Sequence, residues 1–367
     1  MNSLVFSNMF HRPARTVVSV LGIAVGVLLI VFTVGLSNGT MRERGKREGN
    51  VGAEIMFRAS GSIGLSGSES LRLPFGLRDQ IARVEGVKSV VSLGQNSVAT
   101  DDNNTGSRLI DGIIFDEYAN VVGIDIIEGR SLAAFGDEAI IDTGFQQQKK
   151  YILGQKIKLY EREFTVVGTY EPAAGARVKI PLATMQSQLG AEEHVSAFLV
   201  KIAEGQNESQ VAERLHNTFP NNQILLTREI EELYMQGFPA LNVFLNVFIG
   251  VAAVISALVI LLTMYTTVTE RTRQIGIMKS LGMSSAAIAW TITQEALLLS
   301  FLGIVSGIVL TFLVRFGLTR ITTLEVEMSA SVIAIVFLVG LIGGAIGGLY
   351  PAMRAARLDA VEALSYE

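Results

Sequence analysis

The 367-residue sequence contains no cysteine, which removes both a disulfide framework and a thiolate metal site. It contains only three histidines, His11, His194 and His216. They are scattered and offer no metal-ligand spacing. Charge is scarce: 17% of residues are Asp, Glu, Lys or Arg, against roughly 25% in soluble globular chains. The formal net charge is -4, which argues against a nucleic-acid partner, since phosphate binding needs a basic surface. No G-x-x-x-x-G-K-[ST] phosphate loop occurs; the only Gly-Lys pair, Gly45-Lys46, is followed by Arg47. The chain therefore has no nucleotide grip of that type. Nor is there a G-x-S-x-G nucleophile turn in a strand–helix context, and no catalytic cluster stands out.

What the sequence has in abundance is apolar runs. Residues 37–237 hold 21 of the 30 Lys and Arg and 27 of the 34 Asp and Glu, so a polar block of domain size sits between depleted flanks. Four runs in those flanks are long: Thr16–Leu36, Phe238–Tyr265, Ala286–Phe316 and Met328–Met353. The third contains Glu295 and Arg315; the other three have no charged residue. A membrane hydrocarbon core of about 30 Å takes roughly 20 residues of helix, and a charge at its centre costs at least about 2.5–3.5 kcal/mol. The fold class expected is a membrane α-helical protein with four transmembrane helices and a large α/β extracytoplasmic domain between helices 1 and 2. The first run is too long for a signal h-region and reads as a retained helix.

The expected organisation is a cytoplasmic segment and helix 1 over 1–36, then the outer domain with its stalk over 37–237. Helix 2 (238–269), a cytoplasmic loop (270–285), helix 3 (286–319), a short outer loop (320–328), helix 4 (329–352) and a cytoplasmic tail (353–367) follow. Orientation comes from basic residues in short flanks. Arg12 and Arg15, then Arg271, Arg273 and Lys279, then Arg354 and Arg357 all fall on one side. Both termini are therefore expected in the cytoplasm of a multi-pass inner-membrane protein.

Within the outer domain, Leu77, Ile81 and Val84 share a helical stripe that stops at Gly86, before a strand at Val87–Val91. Lys156–Leu159 and Glu163–Tyr170 flank a polar turn and predict a hairpin. Helices are expected at Leu182–Leu189 and Glu208–Phe219, an extended segment at Val195–Ile202, a mobile loop at Ala59–Ser70 and a polar stalk at Glu229–Gln236. Compact α/β subdomains packed on one another fit this alternation. The acidic pairs Asp101-Asp102 and Glu192-Glu193 read as solvated surface.

Inside the membrane runs, glycines recur four apart: Gly22 and Gly26; Gly303 and Gly307; Gly340, Gly344 and Gly348, with Gly343 and Gly347. Such spacing lets helix backbones approach closely, either within the chain or at a subunit interface. Glu295 is an intramembrane acid and so a functional candidate by default. No second membrane acid or base is seen to pair with it, which weighs against a proton relay.

The most informative stretch is ERTRQIGIMKSLGMSS, Glu270–Ser285. A loop needed only to reverse the chain would be shorter and plainer. Its mixture of charge with Ile275, Ile277, Met278 and Leu281 fits a short amphipathic helix, on the membrane surface or in a partner's groove. This loop resembles the coupling loop of the MacB/FtsX-type family of ABC transporter permeases. The ending GGLYPAMRAARLDAVEALSYE resembles the family's tail, with Ala360 where that tail has Pro. NMFHRPARTVVSVLGIAVGV, VGIDIIEGR, LGQKIKL, FTVVGTYEP and KIPLATMQSQLG are also similar to family segments, in the right order.

The resemblance implies a non-catalytic permease subunit that dimerises with a second copy, or with a related chain. It implies a separate ABC ATPase as partner; ATP and Mg would be bound there, with no cofactor in this chain. Glu270, Arg271, Arg273, Gly276, Ile277, Met278, Lys279, Leu281 and Gly282 would form the coupling helix seated in the ATPase. Replacing Ile277 and Met278 by Asp is expected to uncouple it. Mechanotransmission through stalk helices to the outer domain is the implied mechanism. The substrate would be a lipid, lipoprotein, peptide or hydrophobic compound taken from the outer leaflet or periplasm. A periplasmic adaptor and an outer-membrane channel are further partners of some members. The alternative is an ATPase-coupled membrane switch that regulates a cell-wall hydrolase or sensor without moving a substrate.

Overall fold

A computed structural model describes residues 13–60, 71–100, 106–236, 239–319 and 326–358. Two compact units result, one of Met1–Gly39 with Pro239–Glu367, the other of Thr40–Phe238. The expected loop Ala59–Ser70, the Asp101-Asp102 pair, His11 and Ala360 fall wholly or mostly outside the described residues.

The described part opens with α1 (Pro13–Gly49), whose residues 40–49 belong to the second unit. There follow β1 (Ile55–Ala59), β2 (Leu73–Pro74), α2 (Leu77–Ala82), β3 (Val87–Thr100), β4 (Gly106–Ile113) and α3 (Phe115–Val122). Next come β5 (Asp125–Gly129), β6 (Glu138–Asp142), α4 (Thr143–Lys149), β7 (Lys156–Leu159), β8 (Arg162–Glu171) and β9 (Val178–Pro181). The second unit ends with α5 (Leu182–Leu189), β10 (His194–Val195), β11 (Ala197–Ile202), α6 (Glu208–Thr218), β12 (Asn222–Leu226) and α7 (Ile230–Gln236). The first unit resumes with α8 (Pro239–Glu270), α9 (Thr272–Ser280), α10 (Ser285–Leu318) and α11 (Ala330–Arg357).

Four helices, Thr16–Gly49, Asn242–Glu270, Ser285–Leu318 and Ala330–Arg357, are long and apolar enough to cross a membrane. The second unit lies in sequence between the first two of them. Ile23, Val27, Ile260, Met264, Ile304 and Val336 pack in the helical core. Outward-facing Val247, Val251, Val254 and Leu258 of α8 stay exposed, as side chains bathed in lipid would be. The first helix runs 13 residues beyond Leu36, where its apolar run ends, to Gly49.

In the α/β unit ten strands join one mixed sheet, in the order β12-β1-β11-β3-β4-β9-β6-β8-β5, with β7 added on β8. The expectation of separate packed subdomains is thus revised to one continuous sheet. The pairs β4–β9 and β6–β8 are parallel and the remaining pairs along it antiparallel. The β7–β8 hairpin closes on Tyr160 and Glu161, both with positive φ (52° and 61°). Two successive left-handed residues are what a two-residue hairpin turn requires.

Candidate functional site

The loop after α8 folds as the short helix α9. Arg271 interrupts the helical path with φ -106° and ψ 14°, and α9 ends beyond Ser280, where Gly282 takes a left-handed φ of 90°. Glycine adopts that conformation without a steric penalty. Ser284 then caps α10, its Oγ accepting from the Ala287 N–H at 3.2 Å.

The two faces of α9 differ. Ile275 and Gly276 are buried, and Met278 packs, half-buried, against the helical core. On the opposite face Arg273, Ile277 and Leu281 follow at four-residue intervals, which places them in one row. Arg273 is exposed, Ile277 is 43% exposed and Leu281 82%. Of the predicted coupling residues, Gly282 lies at the exposed end and Glu270 is the last residue of α8. Met278 therefore serves packing within the chain, and Ile277 with Leu281 forms the outward apolar pair.

Lys279 donates from Nζ to the carbonyls of Ala356 (3.1 Å) and Leu358 (2.7 Å), at the end of α11. Arg271 faces Glu295 of α10, with Nη1 to Oε1 at 3.8 Å and side chains 18% and 9% exposed. This corrects the reading of Glu295 as an acid without a partner. Its counter-charge comes from the loop, 24 positions earlier in sequence, and no local pattern announces it. Beneath α9 lies a cavity of about 230 Å³, lined by Met264, Val268, Met278, Met283 and Ile292 together with Arg271 and Glu295.

The spaced glycines lie between helices of this unit. A Cβ at Gly22 would lie 3.5 Å from Val259, and one at Gly26 would lie 3.4 Å from Ser256 Oγ. One at Gly303 would come to 2.6 Å of Ile23 and one at Gly307 to 2.7 Å of the Ala24 carbonyl. Gly340 faces Ile304, Gly344 faces Ser300 and Gly348 faces Ala296.

A second polar assembly, which sequence reasoning missed, is buried in the α/β unit. Arg47 near the end of α1 donates to Asp142 Oδ2 and to the Gly175 carbonyl, both at 3.0 Å. Arg58 donates to Gln95 Oε1 (2.7 Å) and Glu48 Oε2 (3.3 Å), and Gln95 in turn donates to Asp111 Oδ1 (3.2 Å). Lys179 donates to Asp111 Oδ2 (2.9 Å) and to the carbonyls of Ala174 (2.8 Å) and Ala176 (3.1 Å). Its ammonium also lies 4.9 Å and 5.0 Å from the ring centres of Tyr118 and Tyr170.

Burial pushes the Lys179 amine below its ordinary pKa, against the pull of Asp111. It holds the Tyr118 and Tyr170 phenols well above theirs. Burial of this kind is paid for only by pairing, and these residues are paired among themselves. The assembly therefore joins the end of α1 to the sheet. Among the described residues no cluster of His, Asp or Glu could hold a metal ion, and Glu192-Glu193 is exposed.

Comparison with known proteins follows the division of the chain. Residues 16–218 match the family model described as MacB-like periplasmic core domain, and residues 246–360 the FtsX-like permease C-terminal model. A curated relative, the macrolide export ATP-binding/permease protein MacB of Vibrio parahaemolyticus, is 25% identical over 97% of this chain. This chain spans only 58% of that protein's length. The uncharacterized ABC transporter permease YknZ of Bacillus subtilis is 24% identical, with 99% of this chain and 98% of that protein covered. The crystal structure of the periplasmic region of MacB from Actinobacillus actinomycetemcomitans aligns at TM-score 0.38 and 17% identity. That alignment covers 50% of this chain and 93% of that one.

Proposed function

The chain belongs to the MacB/FtsX-type family of ABC transporter permeases, and from that premise we propose that it converts the ATP cycle of a partner ATPase into movement of its α/β domain. The reading rests on one observation above all. A short helix between two membrane helices turns Arg273, Ile277 and Leu281 outward in a single row. An apolar pair flanked by a cation, on an otherwise wet surface, suits an amphipathic helix entering a groove on another protein.

In this reading ATP and Mg reside in the partner, since no phosphate-loop motif occurs in these 367 residues. The loop and both termini face the cytoplasm, and the α/β domain faces the opposite side of the inner membrane. α1 continues as one helix from its apolar segment to Gly49, where Arg47 and Glu48 have buried partners. The cargo class that fits is a lipid, lipoprotein, peptide or hydrophobic compound engaged outside the membrane core. Two permease chains, alike or related, would act together, with or without a periplasmic adaptor and outer channel.

The test is Ile277→Asp with Leu281→Asp in membrane vesicles that contain the ATPase subunit co-purifying with the unaltered chain. A charge in place of each apolar contact is expected to cut ATPase retention by about tenfold, a loss of roughly 1.4 kcal/mol. Retention unchanged in this double variant would refute docking through the row. If the ATPase is retained by the parent chain but no lipid, lipoprotein or peptide is released on ATP addition, the regulatory-switch reading replaces export.

A further inference from the structure

Three cations mark the α9 region, Arg271, Arg273 and Lys279, and a helix that docked through charge alone would present all of them to its partner. The geometry separates them. Arg273 is exposed and shares the row of Ile277 and Leu281. Lys279 is turned back into the chain, where its ammonium caps the carbonyls of Ala356 and Leu358 at 3.1 Å and 2.7 Å. The last carbonyls of a helix lack intrahelical donors and carry the negative end of its dipole, so a cation there is held by two effects. Arg271, at the opposite end of α9, faces Glu295 of α10 in a largely buried setting.

Between these ends Ile275 and Met278 pack on the helical core, and a pocket of about 230 Å³ lies beneath α9. The pocket leaves part of the helix without close neighbours, so the end contacts add to packing in fixing its tilt. We propose that Arg271 and Lys279 are positioning residues that anchor the ends of α9 to α10 and α11, hold the Arg273–Ile277–Leu281 row outward, and do not touch the ATPase. The anchors are a property of this chain. Their consequence for coupling rests on the docking reading above. Pressure on the row would then reach α10 through Glu295 and α11 through its terminal carbonyls.

The absence of cysteine makes a direct test available. Spin labels are placed on Arg273→Cys and Ile342→Cys, both exposed positions, in nanodiscs. Excess unlabelled protein dilutes them so that only intrachain distances are read by pulsed electron paramagnetic resonance. The parent is expected to give one narrow distribution. Lys279→Met and Arg271→Met should each broaden it about twofold, since the first removes a charge-assisted hydrogen bond and the second an ionic contact. Lys279→Arg keeps the cation and should restore the narrow form, as a mere packing role would not. Lys279→Gln replaces the Met variant if that protein does not accumulate. An unchanged distribution in the Lys279 variant overturns the proposal.

A second arm uses the co-purifying ATPase with unlabelled chains. Lys279→Met is expected to retain it within about threefold while permease-stimulated hydrolysis falls about tenfold, because the docking row is intact but poorly held. Loss of the ATPase from Lys279→Met with a narrow distance distribution would make Lys279 a contact residue and overturn the proposal. Retention of the ATPase by Ile277→Asp/Leu281→Asp would instead sink the docking reading. The distance measurement alone would then decide the anchors.

Discussion

The Lys179 ammonium lies 2.9 Å from Asp111 Oδ2 with both side chains wholly buried. Removing one partner strands the other charge, which costs about 3–5 kcal/mol, whereas apolar replacement of both can be neutral. Lys179→Met should therefore lower the α/β unit's stability by about that amount. Lys179→Met with Asp111→Leu should lose less than the sum of the two single changes. Chemical denaturation of the purified protein across the double-mutant cycle measures this. Additive losses would mean that the pair is not coupled.

Glu54 carries the acid dependence that the structure predicts. Burial works against its carboxylate, but the Lys201 ammonium at 2.7 Å and the Ile202 N–H at 2.9 Å hold its pKa below the ordinary 4.5. Because the unfolded chain binds the proton more tightly, this contribution is present above the unfolded pKa and fades as pH falls through the folded one. Denaturation midpoints should drop below about pH 4.5 in the parent, and Glu54→Gln should show a flatter decline from a lower neutral value. Parallel pH profiles for the two proteins would remove Glu54 as a source of the acid response.

Much of this architecture is readable residue by residue. The apolar runs are legible because lipid and core impose the same demand along some 20 residues of helix. The hairpin around Tyr160 is legible because its strands alternate and its turn is polar. The helix at Leu182–Leu189 follows from Pro181 and its apolar spacing. What stays hidden depends on distant partners. Lys179 sits in the strand Val-Lys-Ile-Pro, where an alternating pattern would send it to solvent. Asp111, 68 positions away, together with the Ala174 and Ala176 carbonyls makes its burial tolerable.

The same reason hides the last turns of α1. Arg42, Glu43, Arg44, Lys46, Arg47 and Glu48 form no apolar stripe, and the helix persists there with Arg47 and Glu48 in contact with buried partners. The candidate site divides in the same way. The loop's amphipathic character was readable at Ile275 and Ile277, whereas the assignment of Lys279 to the carbonyls of Ala356 and Leu358 needed three dimensions.

The glycines of the helical unit separate into tight and open positions. A Cβ on Gly307 would meet the Ala24 carbonyl at 2.7 Å and Val27 Cβ at 2.7 Å, while Gly317 in the same helix has nothing within 4 Å. Gly307→Ala should therefore destabilise the unit by about 1–3 kcal/mol through overpacking against backbone. Gly317→Ala should be neutral or stabilising by up to about 1 kcal/mol, since alanine restricts the unfolded chain. Thermal unfolding in one detergent compares them directly. Equal behaviour of the two variants would mean that the helices do not approach as closely as described.

Glu295 offers the sharpest test of how the membrane unit tolerates an acid. The carboxylate is 9% exposed and its identified counter-charge, Arg271, lies 3.8 Å away, beyond hydrogen-bond range. At that separation the pair's attraction works against the cost of keeping Glu295 dry. Arg271→Met and Glu295→Gln should therefore be coupled, the double change costing less than the sum of the two single ones by about 0.5–3 kcal/mol. Thermal unfolding in one detergent across the double-mutant cycle reads the outcome, and additive losses would show that Arg271 does not govern the charge on Glu295.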